Sequence, residues 1–250
     1  MSFDVIDRIR LIQRSNCSCP AGALKQEEAA TQATYQEWHS QAEMLLNRAG
    51  LSHGRYAAAR FGNWDPKRHK ADALRVFNAV RDYVDTVAKN GPNWLYLHGD
   101  YGLGKTHLAV AAVREIAARK LWQPHIIVWP EICQLTKESW RGGGGYSAPS
   151  EGAMWASARG AVVLVIDDLD KTHTTGWAMG KLYALINNRY DRQMPTIITA
   201  NRSIPLIRKV WEKSKDDQVR DTGAAVLSRI GGQLMSLIKF EGEDQRWATE

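Results

Sequence analysis

WLYLHGDYGLGKTH, residues Trp94 to His107, governs how the rest of the chain is read. Gly99, Gly104, Lys105 and Thr106 complete the pattern G-x-x-x-x-G-K-[ST], and the run ahead of it, Trp94 to His98, is apolar and aromatic-rich enough to predict a strand. Behind it Leu108, Ala111, Ala112, Ile116 and Ala117 recur at helical spacing. The pattern therefore sits between a strand and a helix, the context that separates a real phosphate loop from a chance match. Glycines let successive backbone N–H groups turn inward, and the following helix adds the positive end of its dipole. On this reading Gly99, Asp100, Tyr101, Gly102, Leu103, Gly104 and His107 form the walls of an ATP site. Lys105 is expected across the β and γ phosphates and the Thr106 hydroxyl on Mg2+.

A second stretch, AVVLVIDDLDK from Ala161 to Lys171, predicts a fully buried parallel strand that delivers carboxylates to its C-terminal end. Asp167 is expected to hold Mg2+ through water, and Asp168 to orient and deprotonate the attacking water. PTIITANRS, Pro195 to Ser203, is a third strand, and its terminal Asn201 either positions that water or caps the next helix. HIIVW (His125 to Trp129) and MSLIKF (Met235 to Phe240) supply two more strands. Helices are expected from Pro130 to Trp140 and from Trp177 to Arg192, the latter with Leu182, Leu185, Ile186 and Tyr190 on one face. Strands alternating with helices predict an α/β fold, a five-stranded parallel sheet flanked by helices whose strand ends share one edge.

With 250 residues the chain has room for one such domain and a small appendage. No stretch approaches the roughly twenty apolar residues needed to span a bilayer, and MSFDVIDRIR has no signal-peptide core, so a cytoplasmic protein without a membrane partner is expected. Cys17, Cys19 and Cys133 are too few for a disulfide framework, and Cys17-x-Cys19 with His39 or His53 does not match usual zinc spacing. A net charge of +6 makes contact with a polyanion plausible without establishing it.

Ahead of the phosphate loop, Val5, Ile6, Ile9 and Ile12 mark one helical face within residues 1–16. A second helix is expected over Lys25 to Arg48, with Tyr35, Trp38, Ala42, Leu45 and Ala49 on its stripe. These stripes bury against either the main body or a partner. RFGNWDP from Arg60 leads into a helix carrying Leu74, Phe77, Val80 and Val84, and Phe61 and Trp64 either border an adenine or simply pack. Between Arg141 and Gly152, RGGGGYSAPSEG reads as a mobile loop. Lys137, Trp140, Arg141 and Tyr146 around it, with Lys171, combine charge and stacking surface suited to single-stranded DNA, the alternative being a solvated loop with its tryptophan in the core. Near the C-terminus KVWEKSKDDQVRD reads as a charged helix-loop, followed by a short helix with Arg229 and, past the last strand, Arg246.

The succession GDYGLGKTH, HIIVWPEI, VLVIDDLD, IITANRS, LSRIGG and EDQRW, over about Phe61 to Trp247, resembles the AAA+ ATPases of the DnaC/DnaI-type replicative helicase loaders and the related IstB-like transposition helpers. The resemblance implies an AAA+ P-loop NTPase core over residues 56–250 and a small N-terminal helical region, 1–55, that docks a partner. It implies Walker A at Gly99 to Thr106, Walker B at Asp167 and Asp168, and a sensor asparagine at Asn201. Arg229 would be an arginine finger acting in trans on a neighbouring subunit, and Arg246 a sensor arginine at the nucleotide. Where the family carries a catalytic glutamate this chain has Asp168, one methylene shorter. The implied function is an ATP-dependent loader that binds a replicative helicase hexamer, places it on single-stranded DNA and self-associates through Arg229. The alternatives are an IstB-like helper of a DNA transposase and a nucleotide-binding scaffold without significant turnover.

Overall fold

The computed structural model describes residues 36–64, 73–88, 94–140, 151–171 and 174–242, with the side chains of 135–140, 151 and 235 set aside. The helix expected in residues 1–16, the first part of the Lys25 to Arg48 helix and the glycine run at 141–150 lie outside the described residues. Five strands form the frame: β1 Trp94–Gly99, β2 Pro124–Val128, β3 Val163–Asp167, β4 Thr196–Ala200 and β5 Leu234–Phe240. All pair in parallel, in the order β2-β3-β4-β1-β5. The near-continuous apolar runs of β1, β3 and β4 are buried along their whole length, as central parallel strands covered on both faces require.

Side-chain alternation divides the core into two layers. Leu95 and Leu97 of β1 face one layer, built by α2 (Ala73–Ala88) and α3 (Lys105–Lys120). Trp94 and Tyr96 face the other. That second layer draws on α4 (Trp129–Trp140), α5 (Glu151–Gly160), α6 (Gly176–Asp191), α7 (Ile204–Glu212) and α8 (Asp217–Gln233). A helix at 36–48, α1, turns Ala42 and Leu46 inward, and Leu51 after it is fully buried in the first layer. Arg114 of α3 secures this segment by donating to the carbonyls of Leu51, Tyr56 (3.0 Å) and Ala57 (3.3 Å). The α1 stripe thus packs on the protein's own body.

Several local expectations shift. Trp129 opens α4 instead of closing β2, because its ring drops into the second layer against Trp155, with centroids 6.2 Å apart. Glu151 and Gly152, expected in the glycine-rich loop, begin α5, a helix unforeseen because Trp155 and Ala158 are its only fully buried apolar residues. The stripe on α2 runs through Val76, Val80, Tyr83, Val84 and Val87, leaving Leu74 63% exposed. The helix bearing Arg229 is α8, 17 residues long and not short. Gly223 conceals it in the sequence, yet a Cβ there would approach the Trp211 ring to 2.9 Å, so the glycine serves the packing of α7 on α8.

Candidate nucleotide site

Three adjacent parallel strands, β3, β4 and β1, end on one edge, and their last residues supply the site. β1 ends at Gly99 with φ 143°, where a Cβ would lie 2.3 Å from the Phe240 carbonyl oxygen of β5, so only glycine fits between the strand ends. The loop then reaches Gly104, also left-handed at φ 78°, whose carbonyl accepts the N–H of Leu108 as α3 begins. The first turn of α3, where a helix leaves its N–H groups without intrahelical partners, lines a cleft of about 340 Å3.

Lys105, Thr106, Asp167, Asp168 and Asn201 all border this cleft. Lys105 Nζ donates to the carbonyls of Gly99 (2.8 Å) and Asp100 (2.6 Å) and to Asn201 Oδ1 (3.2 Å). Burial holds its ammonium below the ordinary lysine range, against the pull of Asp168. Asp167 is 2% exposed, and its Oδ1 accepts the hydroxyls of Thr106 (2.7 Å) and Thr199 (2.6 Å). Burial raises its carboxyl above the usual carboxylate range, and the two hydroxyls counter part of that shift. A carboxylate and a hydroxyl in contact are hard oxygen donors of the kind Mg2+ selects, so this pair fits the ion. Asp168, in a left-handed conformation at φ 59°, forms a 2.7 Å ion pair with Lys171, whose Nζ also lies 5.2 Å from the centre of the Tyr101 ring. Lys171, grouped by sequence with the DNA-contact candidates, thus borders the same cleft as Lys105.

The cleft has one wall that sequence reasoning missed. Arg55, Tyr56 and Ala59 close it from the segment ahead of the phosphate loop. Arg55 donates to Tyr56 Oη (2.7 Å) and reaches Glu131 (3.4 Å). The Tyr56 phenol is pushed up to about 12 by burial and by Asp167, so it stays protonated. Phe61 and Trp64 pack instead of bordering the cleft: Phe77 takes Phe61 edge-on at 5.5 Å and stacks on Trp64 at 5.7 Å. Arg60 offers its carbonyl to His107 Nε2 at 2.9 Å. Thr199 was also missed, although a threonine two residues before Asn201 falls on the same side of β4.

Other candidates lie elsewhere. Arg229 projects from α8 onto α6, donating to Asn187 Oδ1 (2.6 Å), Ala225 O (3.2 Å) and Tyr183 Oη (3.1 Å), and does not border the cleft. Lys137 and Trp140 fall in the last turns of α4, where only the backbone is described, and Arg141, Tyr146 and Arg246 are outside the described residues. A larger cavity of about 530 Å3, lined by Arg202, Trp211 and Lys215 among others, holds none of the phosphate-loop residues.

No protein-family model matches the chain. The replicative helicase loader DnaI of Bacillus subtilis is 24% identical over 184 residues, 73% of this chain. A solved DnaC helicase loader superposes with a TM-score of 0.59 and 24% identity, covering 76% of this chain and all of that one. This chain resembles the DnaC/DnaI-type helicase loaders in sequence and fold. The match to DnaI spans only 55% of that protein's length. An ATP-binding protein of an insertion sequence from Mycobacterium tuberculosis is 30% identical over 107 residues, 43% of this chain and 40% of its own. The five-stranded parallel sheet and its flanking helices share the fold of the solved DnaC loader. Among the described residues no helix is long and apolar enough to cross a membrane.

Proposed function

We propose that this chain is an ATP-dependent loader that docks a replicative helicase and helps place it on single-stranded DNA. The observation that carries the nucleotide half of this reading is the convergence of Lys105, Thr106, Asp167 and Asn201 on one cleft at the mouth of a phosphate loop. The loop's N–H groups and Lys105 bind the phosphates, Lys105 exchanging a present acceptor for a phosphate oxygen. Thr106 and Asp167 would hold Mg2+, which would supply positive charge against the phosphates. Asp168 positions and deprotonates water once its pair with Lys171 opens, and Asn201 orients that water. Arg229 acts on the next subunit, so turnover depends on assembly.

Equilibrium binding of ATP tests the site: Lys105→Ala weakens it about 100-fold, and near-normal affinity would remove the basis of the reading. The docking half rests on likeness to the loaders and is tested by size-resolved co-elution with a helicase hexamer. The informative truncation removes residues 1–35, because Leu46 and Leu51 belong to the core and a cut at 55 would unfold the domain. A complex lost on that truncation assigns docking to the N-terminal segment. The insertion-sequence relative favours a second reading, a helper of a transposase. Tighter ATP-dependent assembly on duplex than on single-stranded DNA would select it.

A further inference from the structure

β4 ends at Ala200, and the next two backbone N–H groups, those of Asn201 and Arg202, have no strand partner to donate to. Both are taken by one carboxylate. Asp170 Oδ1 accepts the Asn201 N–H at 2.8 Å and Oδ2 accepts that of Arg202 at 2.8 Å. The Asp170 side chain is only 4% exposed, with the half-exposed Arg202 guanidinium 3.4 Å from Oδ2. A buried carboxylate with both oxygens in charge-assisted bonds to consecutive amides fixes the backbone between them.

The turn that brings Asp170 there is itself tightly determined. Asp168 is left-handed, Leu169 is fully buried with its N–H on Thr199 O at 3.0 Å, and the Lys171 N–H closes onto Asp168 O at 3.2 Å. Thr199 also receives the Asp168 N–H on its hydroxyl at 2.9 Å. These contacts stitch the end of β3 to β4 but stop at Thr199. Of the contacts from this turn, those of Asp170 reach the asparagine.

We infer that Asp170 is a positioning residue for Asn201, holding the Asn201 backbone so that its side-chain oxygen meets Lys105 at the border of the cleft. The inference rests on the nucleotide reading of the cleft. Its consequence is discrimination: the side chain at Asn201 distinguishes a triphosphate from a diphosphate only while its backbone is fixed. Asparagine at 170 keeps a single acceptor oxygen, so one of the two amides loses its partner.

The test is the ratio of affinities for Mg·ATPγS and Mg·ADP, measured by calorimetry on the full chain, with melting temperature recorded alongside. In D170N the preference for the triphosphate falls about tenfold while ADP affinity changes less than about twofold. N201A shows the same loss, the double variant D170N/N201A loses no more than N201A alone, and R202A, which leaves both amide bonds in place, keeps the preference. A purely structural aspartate would weaken both nucleotides together. Should D170N not fold, D170E, which retains both oxygens on a longer stem, is expected to show a partial loss. Preference retained in D170N or D170E but lost in N201A overturns the positioning role alone. A wild-type chain that binds neither nucleotide overturns it together with the reading of the cleft.

Discussion

The cleft at the phosphate loop and the surface around Arg229 are built by opposite means. In the cleft the groups come from strand ends and the loop beside them, so the register of β3, β4 and β1 places them within hydrogen-bonding reach, and Lys105, Asp167 and Asn201 are already engaged with one another or with Thr106 and Thr199. Arg229 comes from the C-terminal part of a helix, away from the cleft, resting on Tyr183 and Asn187 of α6. On the proposed reading, the groups that bind ATP all come from one chain, whereas the half-buried arginine proposed to act in trans lies outside the cleft. That difference makes binding and turnover separable.

The comparison is sharpened most by Arg229→Ala. Steady-state turnover is expected to fall about 10³-fold, with ATP affinity changed by less than about twofold. Mixing this variant with Lys105→Ala should restore a measurable fraction of the rate, since each supplies what the other lacks. No recovery in the mixture would break the division between the two regions.

Next in size is Arg114→Ala, which strips donors from three carbonyls behind the cleft wall and leaves a void in the first core layer. A loss of about 3 kcal/mol is expected, read by denaturant unfolding, with ATP binding weakened because Tyr56 and Ala59 lose their support. Unchanged stability would mean that the segment before the phosphate loop is only loosely attached.

A smaller and opposite effect is expected at Asp167. Its carboxyl is raised by burial, so the folded chain holds the proton more tightly than the unfolded one. The unfavourable contribution therefore sets in as pH rises from the ordinary value through the raised one, and it is fully present above that. Asp167→Asn should melt about 2 °C higher than wild type at neutral pH without Mg2+, a gain that disappears on acidification, while Mg2+-dependent ATP binding is lost. A variant less stable than wild type at neutral pH would show that the two hydroxyl bonds outweigh desolvation.

Smallest is Lys171→Ala, which frees Asp168 from its 2.7 Å pair. A partly exposed pair contributes little to stability, so the melting temperature should move by less than about 2 °C. Turnover should rise modestly if the pair restrains the base.

Much of this was legible beforehand because backbone chemistry is local. The glycine and lysine spacing from Gly99 to Thr106, the apolar runs ending in Asp167 and Asn201, and the alternation of strand and helix each carry a short-range signature, and parallel connection then fixes a shared edge. Phe61 and Trp64 show where that legibility ends: an aromatic beside a turn packs or binds according to what lies opposite, and Phe77 lies opposite. Arg189 is a harder case. It is fully buried on α6, donating to Thr196, Ala161 and Pro195, and nothing in its neighbourhood in the sequence marks it as internal. The sequence by itself determined the five strands, the phosphate loop and the acidic strand end, since these follow from side-chain period and glycine freedom within a few residues. Tertiary structure alone decided that Arg55 and Tyr56 wall the cleft, that Lys171 holds Asp168, and that Asp170 holds the backbone of Asn201. Those pairings join segments 31 or more residues apart or depend on a left-handed turn, and only the packed sheet brings such groups within the few ångströms over which hydrogen bonds act.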